Sequence, residues 1–268
     1  MKLRVENASF SYGKGEGGEV IRSLSFGVDA GELLYLVGPN AVGKSTLLRC
    51  MLGILKWSEG RTLLDGQDVA ALKPRDMWSH VGYVPQVHHT TLSLTALETV
   101  LLGRSAHIGL FSQPSAEDEQ AAMRALGDVG MASAARRQLQ LLSGGQQRLV
   151  LIAKALAAHP HVLVLDEPES GLDFHNQLVV LDLLSQLAHE QGLAVIMTTH
   201  YPEHALRGHG KALLLEGPGE ALFGDSLSVI TEENMRRAFR ADIRIREVGI
   251  DGSTYRSIIA LGALDGKR

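Results

Sequence analysis

The run Gly38-Pro39-Asn40-Ala41-Val42-Gly43-Lys44-Ser45-Thr46 constrains this chain more than any other stretch, because it satisfies the pattern G-x-x-x-x-G-K-[ST]. Just before it, Glu32-Leu33-Leu34-Tyr35-Leu36-Val37 is a short apolar run that stops at a glycine, which predicts a strand buried on both faces of a parallel sheet. Just after it, a helix is predicted from Lys44 to Leu55. A strand, a glycine-rich loop and a helix N-terminus in that order let backbone N–H groups curl around phosphate oxygens, with partial positive charge from the helix end. Lys44 then reaches the β- and γ-phosphates and the Ser45 hydroxyl ligates Mg²⁺.

The rest of the chain supplies more strands of the same kind. Val81-Gly82-Tyr83-Val84, Val162-Leu163-Val164-Leu165, Ala194-Val195-Ile196-Met197 and Ala212-Leu213-Leu214-Leu215 are apolar runs that alternate with helical patterns, so the core is expected to be doubly wound α/β. Ahead of them, Leu3-Arg4-Val5, Ala8-Ser9-Phe10 and Ser25-Phe26-Gly27-Val28, separated by the glycine-rich turn Gly13 to Gly18, predict an antiparallel meander. From about residue 87 to 160 strand signals give way to helical ones. Ser115-x-x-Asp118 caps a helix containing Glu119 to Leu126, and Ser143-x-x-Gln146 opens another with apolar residues at Leu149, Ile152, Ala153 and Leu156. The fold class is therefore α/β: a P-loop NTPase core with a parallel sheet, an N-terminal antiparallel β subdomain and a helical insertion. Residues 1–225 form the expected main domain with the insertion at about 87–160, and residues 226–268 form a short extension with a helix at Glu232 to Phe239.

Val162-Leu163-Val164-Leu165-Asp166-Glu167-Pro168 completes a phosphate site. A buried strand that delivers two carboxylates to its C-terminal edge sets Asp166 beside the Mg²⁺ shell and Glu167 where it polarises an attacking water. Kinases, GTPases and recombination ATPases would fit these two motifs equally well.

Leu142-Ser143-Gly144-Gly145-Gln146-Gln147 separates them. Taken alone, Ser143 and Gln146 form a capping box. Beside the other two motifs, the run resembles the Leu-Ser-Gly-Gly-Gln signature of the ATP-binding cassette (ABC) ATPases. The resemblance spans residues 3 to about 225. It implies that Ser143, Gly144, Gly145 and Gln146 address the γ-phosphate held by a second copy in a head-to-tail dimer. By the same resemblance Tyr12 stacks on adenine, Gln86 touches Mg²⁺ or water and hinges the insertion, and His200, after Met197-Thr198-Thr199, contacts the γ-phosphate. Ser170-Gly171-Leu172-Asp173 matches the loop that crosses the dimer seam, with Glu169 standing where threonine is more usual. Ala41 stands where many relatives have glycine, and its methyl is accommodated if φ is negative.

Composition narrows the use of this engine. The 268 residues carry 26 Lys+Arg against 30 Asp+Glu, a formal charge of -4, so no strongly basic surface announces nucleic acid as a partner. One cysteine, Cys50, excludes an internal disulfide, and His88-His89 is too small a cluster for a metal centre. No apolar run approaches the roughly 18 to 20 residues needed to span a bilayer, and Met1 to Glu6 lacks the apolar stretch of a signal peptide. The segment Ser93 to His107, then Phe111 and Pro114 to Asp118, resembles ATPases of iron-siderophore, haem and cobalamin importers and of the related molybdate/tungstate importers. Ala106 departs from the Gly-Arg-x-Pro-His/Tyr pattern common there. Ile230 to Met235 also resembles the chelate-importer group. The resemblance implies ATP and Mg²⁺, a homodimer, a polytopic permease and, indirectly, a solute-binding protein, with the chain peripheral on the cytoplasmic face of the inner membrane. An exporter ATPase, or a soluble ABC ATPase of DNA repair or translation, is the competing class.

Overall fold

The computed structural model describes residues 2–13, 18–86, 93–108, 113–208 and 210–264. The chain opens with β1 (Leu3–Ser11), β2 (Glu19–Val28), β3 (Leu33–Val37), α1 (Lys44–Met51), β4 (Glu59–Leu64), β5 (Gln67–Asp68), α2 (Pro74–His80) and β6 (Val81–Val84). A helical stretch follows, with α3 (Ala96–Leu101), α4 (Ala116–Asp128) and α5 (Gly144–Leu156). Then come β7 (Val162–Leu165), α6 (Phe174–His189), β8 (Ala194–Thr198), α7 (Pro202–Arg207), β9 (Lys211–Gly217) and β10 (Glu220–Asp225). The chain closes with α8 (Ser226–Val229), α9 (Glu232–Phe239) and the hairpin of β11 (Ala241–Ile250) and β12 (Ser253–Ala263). His88, His89, Phe111 and the tip of the Gly13–Gly18 turn lie outside the described residues.

The central sheet has the strand order β10-β9-β3-β8-β7-β6. β9, β3, β8, β7 and β6 run parallel, and β10 returns antiparallel along β9. All residues of β3, β7 and β8 are buried, as strands covered on both faces must be. Alternate side chains enter different cores. Leu33, Tyr35, Leu163, Leu165, Val195 and Met197 pack with apolar residues of α5 and α6, whereas Leu34, Leu36, Val162, Val164 and Ile196 pack against α1 and the N-terminal sheet. Each such leucine contributes about 2 kcal/mol by leaving water, so the central strands hold the layers together.

The N-terminal sheet, order β2-β1-β4-β5, is antiparallel. The two short pieces expected at Leu3–Val5 and Ala8–Phe10 are one strand, interrupted in register where Asn7 takes φ 45°. α1 is shorter than the expected Lys44 to Leu55. It ends at Met51 because the chain turns back on itself, with Gly53 N–H donating to Cys50 O at 3.0 Å and Ile54 and Leu55 N–H both donating to Arg49 O. Cys50 is buried in this region, and burial pushes its thiol up to about 12.

Each helix of the central stretch begins with a reciprocal cap: Thr95 with Glu98, Ser115 with Asp118, Ser143 with Gln146. Asp118 has a second task. The buried Arg104 donates to its Oδ1 at 3.0 Å and to Ala157 O at 3.0 Å, which ties the segment after α3 to the start of α4 and the end of α5. Hydrogen bonds from Ser115 N–H and its hydroxyl, then from Arg104, hold the Asp118 carboxyl down at about 2.

Candidate functional site

Strand order builds the site. β3, β8 and β7 are neighbours with β6 beyond, so their C-terminal ends bring together the loop at 38–44, Thr198 to His200, Asp166-Glu167 and Gln86. Ligands of open parallel sheets bind at such carboxyl ends.

In the loop, a Cβ added at Gly38 would meet Leu215 O at 2.5 Å, so glycine is required where the chain leaves β3. Lys44 is buried at 6% exposure and its ammonium donates to Gly38 O at 2.7 Å and Pro39 O at 3.0 Å. Its Nζ also lies 3.4 Å from His200 Nδ1. Burial pushes the Lys44 pKa down, and the carboxylates of Glu167 and Asp166 oppose that shift. Asn40, Val42 and Gly43 complete the turn between Pro39 and Lys44, and Gly43 is the N-cap of α1. Ala41 does not meet the condition set for its methyl. Its φ is +62°, in the left-handed region where a methyl is strained, rather than negative.

Around the acidic pair, Ser45 Oγ donates to Asp166 Oδ1 at 3.2 Å and Thr198 Oγ1 donates to the same oxygen at 2.7 Å. Thr198 Oγ1 also accepts from Glu167 N–H at 2.8 Å, at a position where Glu167 takes φ 49°. The Glu167 side chain is nearly buried. Gln86 Nε2 donates to its Oε2, and His200 Nε2 contacts its Oε1. Lys44, Glu167, His200 and Gln86 therefore form one linked group, with Asp166 and Ser45 alongside. Thr198 was not assigned a role from sequence, although a fully buried hydroxyl ending an apolar strand is a signal that it bonds something at the strand's end.

Tyr12 sits at the rim. Its hydroxyl is 3.1 Å from Thr46 Oγ1, its ring meets Phe10 edge-on at 4.8 Å, and half of its surface is exposed. Ser143 caps α5, accepting from Gln146 N–H at 3.3 Å while Gln146 Oε1 accepts from Ser143 N–H at 3.2 Å. Gly144 lies against Leu172, and a Cβ on Gly145 would collide with Asn176 Oδ1 at 2.3 Å. The turn Ser143–Gln146 thus lies against Leu172 and Asn176, at the end of the segment Ser170, Gly171, Leu172 and Asp173, where Asp173 caps α6 through Asn176 N–H at 2.8 Å. Among the described residues no hydrogen bond joins Ser143–Gln146 to the loop at 38–46.

Can these residues hold Mg²⁺? Mg²⁺ keeps several waters and takes one or two hard oxygens besides substrate phosphates. Ser45 Oγ beside Asp166 Oδ1, next to a buried lysine, is a donor set of that kind. The arrangement as a whole is that of a P-loop ATPase with a second glycine-rich helix start on the same chain.

The chain belongs to the ABC transporter family, whose family model matches residues 21–170, and it is an ATPase. It is 37% identical over 237 residues to the molybdate import ATP-binding protein MolC of Haemophilus influenzae, covering 88% of this chain and 87% of that one. It is 35% identical to the iron(3+)-hydroxamate import ATP-binding protein FhuC of Bacillus subtilis, covering 91% and 89%. A solved structure described as an inward-facing conformation of a metal-chelate type ABC transporter matches with a TM-score of 0.87 at 34% identity, covering 97% of both chains. No helix among the described residues is long and apolar enough to cross a membrane.

Proposed function

We propose that this chain is the ATP-hydrolysing subunit of an importer for a metal chelate of the iron-siderophore, haem or cobalamin type, held at the cytoplasmic face of the inner membrane by a polytopic permease. The supporting observation is the likeness to a metal-chelate type transporter over 97% of the chain. Residues 1–225 act as the cassette, with about 87–160 as its helical insertion, and 226–268 as an extension. The identity to MolC favours a second reading, import of molybdate or tungstate.

In this reading Lys44 and the N–H groups of residues 38–46 bind the ATP phosphates. Ser45, Asp166 and Gln86 would hold Mg²⁺, which when bound offsets negative charge on the phosphates. Glu167, aimed by Gln86 and His200, takes the proton of the attacking water. Tyr12 stacks on the adenine. In a head-to-tail homodimer Ser143, Gly144, Gly145 and Gln146 complete the site of the second copy, with Ser170 to Asp173 along the seam. Closing that dimer moves the permease, a solute-binding protein delivers the cargo, and no nucleic acid takes part.

The test is purification from native membranes followed by reconstitution. A polytopic permease should accompany the chain, and a metal chelate should stimulate ATP hydrolysis by the reconstituted complex. Stimulation by molybdate or tungstate alone would establish the second reading, and co-purification with DNA or ribosomes instead of a permease would sink both.

A further inference from the structure

We propose that Glu169 is a positioning residue for hydrolysis, holding the His200 turn from beneath; this rests on the reading that His200 and Glu167 serve the reaction. Glu169 is 1% exposed, and its Oε2 is buried without a hydrogen-bond partner. Its Oε1 accepts the hydroxyl proton of Thr199 at 2.5 Å and lies 3.7 Å from His204 Nδ1.

The consequence lies in how a hydroxyl divides its bonds. A threonine hydroxyl has one proton and two lone pairs. With the proton committed to Glu169, Thr199 Oγ1 is left as an acceptor, and Tyr201 N–H donates to it at 3.0 Å, with His204 Nδ1 at 3.3 Å. That closes a turn from Thr199 to Tyr201, and His200 is the residue between them. Its ring is thereby presented to Glu167 on one nitrogen and to Lys44 on the other. Without the carboxylate, the Thr199 proton is free to turn to Tyr201 O, now 3.5 Å away, and the closing bond loses its fixed acceptor.

Glu169 also reaches beyond this turn. Its carbonyl accepts from Leu172 N–H at 3.2 Å, inside the Ser170–Asp173 loop. Arg148, on the helix that Ser143 caps, has a buried Nη1 with no partner; burial pushes its pKa down and the charges of Glu169 and Glu167 oppose the shift. The Glu169 carboxylate therefore holds the Thr199–Tyr201 turn and its backbone carbonyl the start of the Ser170–Asp173 loop, and neither makes a hydrogen bond to the loop at 38–46.

The test uses the full chain with Glu169→Ala, Glu169→Gln, Thr199→Val and the double variant E169A/T199V. The expected result is a fall in kcat of about tenfold for Glu169→Ala and for Thr199→Val, with KM for ATP within about twofold of wild type, since neither altered side chain bonds to the phosphate loop itself. The double variant should be no worse than either single one, because both remove the same bond. Glu169→Gln, which keeps an acceptor oxygen for Thr199, should retain kcat within about threefold. The imidazole ¹⁵N resonances of His200, measured without nucleotide, should move in Glu169→Ala and Thr199→Val and stay in Glu169→Gln. Wild-type kcat with unmoved His200 resonances in Glu169→Ala, or a double variant whose losses multiply, would overturn the proposal. If Glu169→Ala does not fold, unmoved His200 resonances in Thr199→Val overturn it equally. A wild-type chain that hydrolyses no ATP would defeat the catalytic reading, and the resonances would still decide whether Glu169 positions His200.

Discussion

Replacing Ala41 with glycine should stabilise the protein, against the usual outcome of adding a glycine. Ala41 takes φ +62° and its side chain is exposed, so the methyl buries nothing that the substitution would lose. Releasing a non-glycine residue from the left-handed region returns about 1–2 kcal/mol. Glycine gives back about 0.5–1 kcal/mol because the unfolded chain gains conformational freedom. The difference, about 0.7 kcal/mol in favour of Ala41→Gly, corresponds to a rise in Tm of about 2 °C for a chain of this size. Urea denaturation of wild type and variant, with the slope checked for constancy, measures it directly. A variant less stable than wild type by about 0.5 kcal/mol or more would refute the reasoning, since it would mean that the backbone at 41 carries no strain or that the methyl makes contacts the geometry does not contain.

Three further outcomes follow from the site and its surroundings. Glu167→Gln should still bind ATP and dimerise but lose about 100-fold or more in kcat, checked by a phosphate-release assay beside size-exclusion chromatography with ATP; rapid hydrolysis would remove Glu167 from its role. Lys44→Ala should weaken ATP binding by at least about tenfold, measured by calorimetry, because a buried ammonium is removed from the loop it organises. Asp118 has its folded pKa depressed to about 2 from an ordinary 3.8, so its contribution is complete above pH 3.8 and disappears as pH falls through about 2. Asp118→Asn should therefore lower stability at pH 7 and flatten the acid limb of a stability-against-pH curve; an unchanged acid limb would show that Asp118 is not held by Ser115 and Arg104.

What could be read in the chain itself was whatever depends on neighbours in sequence. The glycine-rich run between a strand and a helix, the Asp166-Glu167 pair at a strand end and the caps at Ser115 and Ser143 are local, because each is a backbone requirement or a reach of three or four residues. The apolar runs of β3, β7 and β8 were legible for the same reason: a strand covered on both faces has no polar side to confuse the pattern. β4 and β10 were missed because they are partly exposed strands with polar residues at one or both ends and no long continuous apolar run.

Tertiary structure decided everything that depends on which strand lies beside which. Only the order β3-β8-β7-β6 puts His200 between Lys44 and Glu167 and brings Gln86 to the same carboxylate across 81 positions of sequence. The sign of φ at Ala41, the bond from Thr198 to Asp166 and the burial of Glu169 beneath the His200 turn belong to the same class. A sequence pattern specifies which groups can do phosphate chemistry, because that follows from residue type and local backbone. Their distances are set by the packing of parallel strands and the helices that cover them, a non-local balance of buried area that no single segment contains.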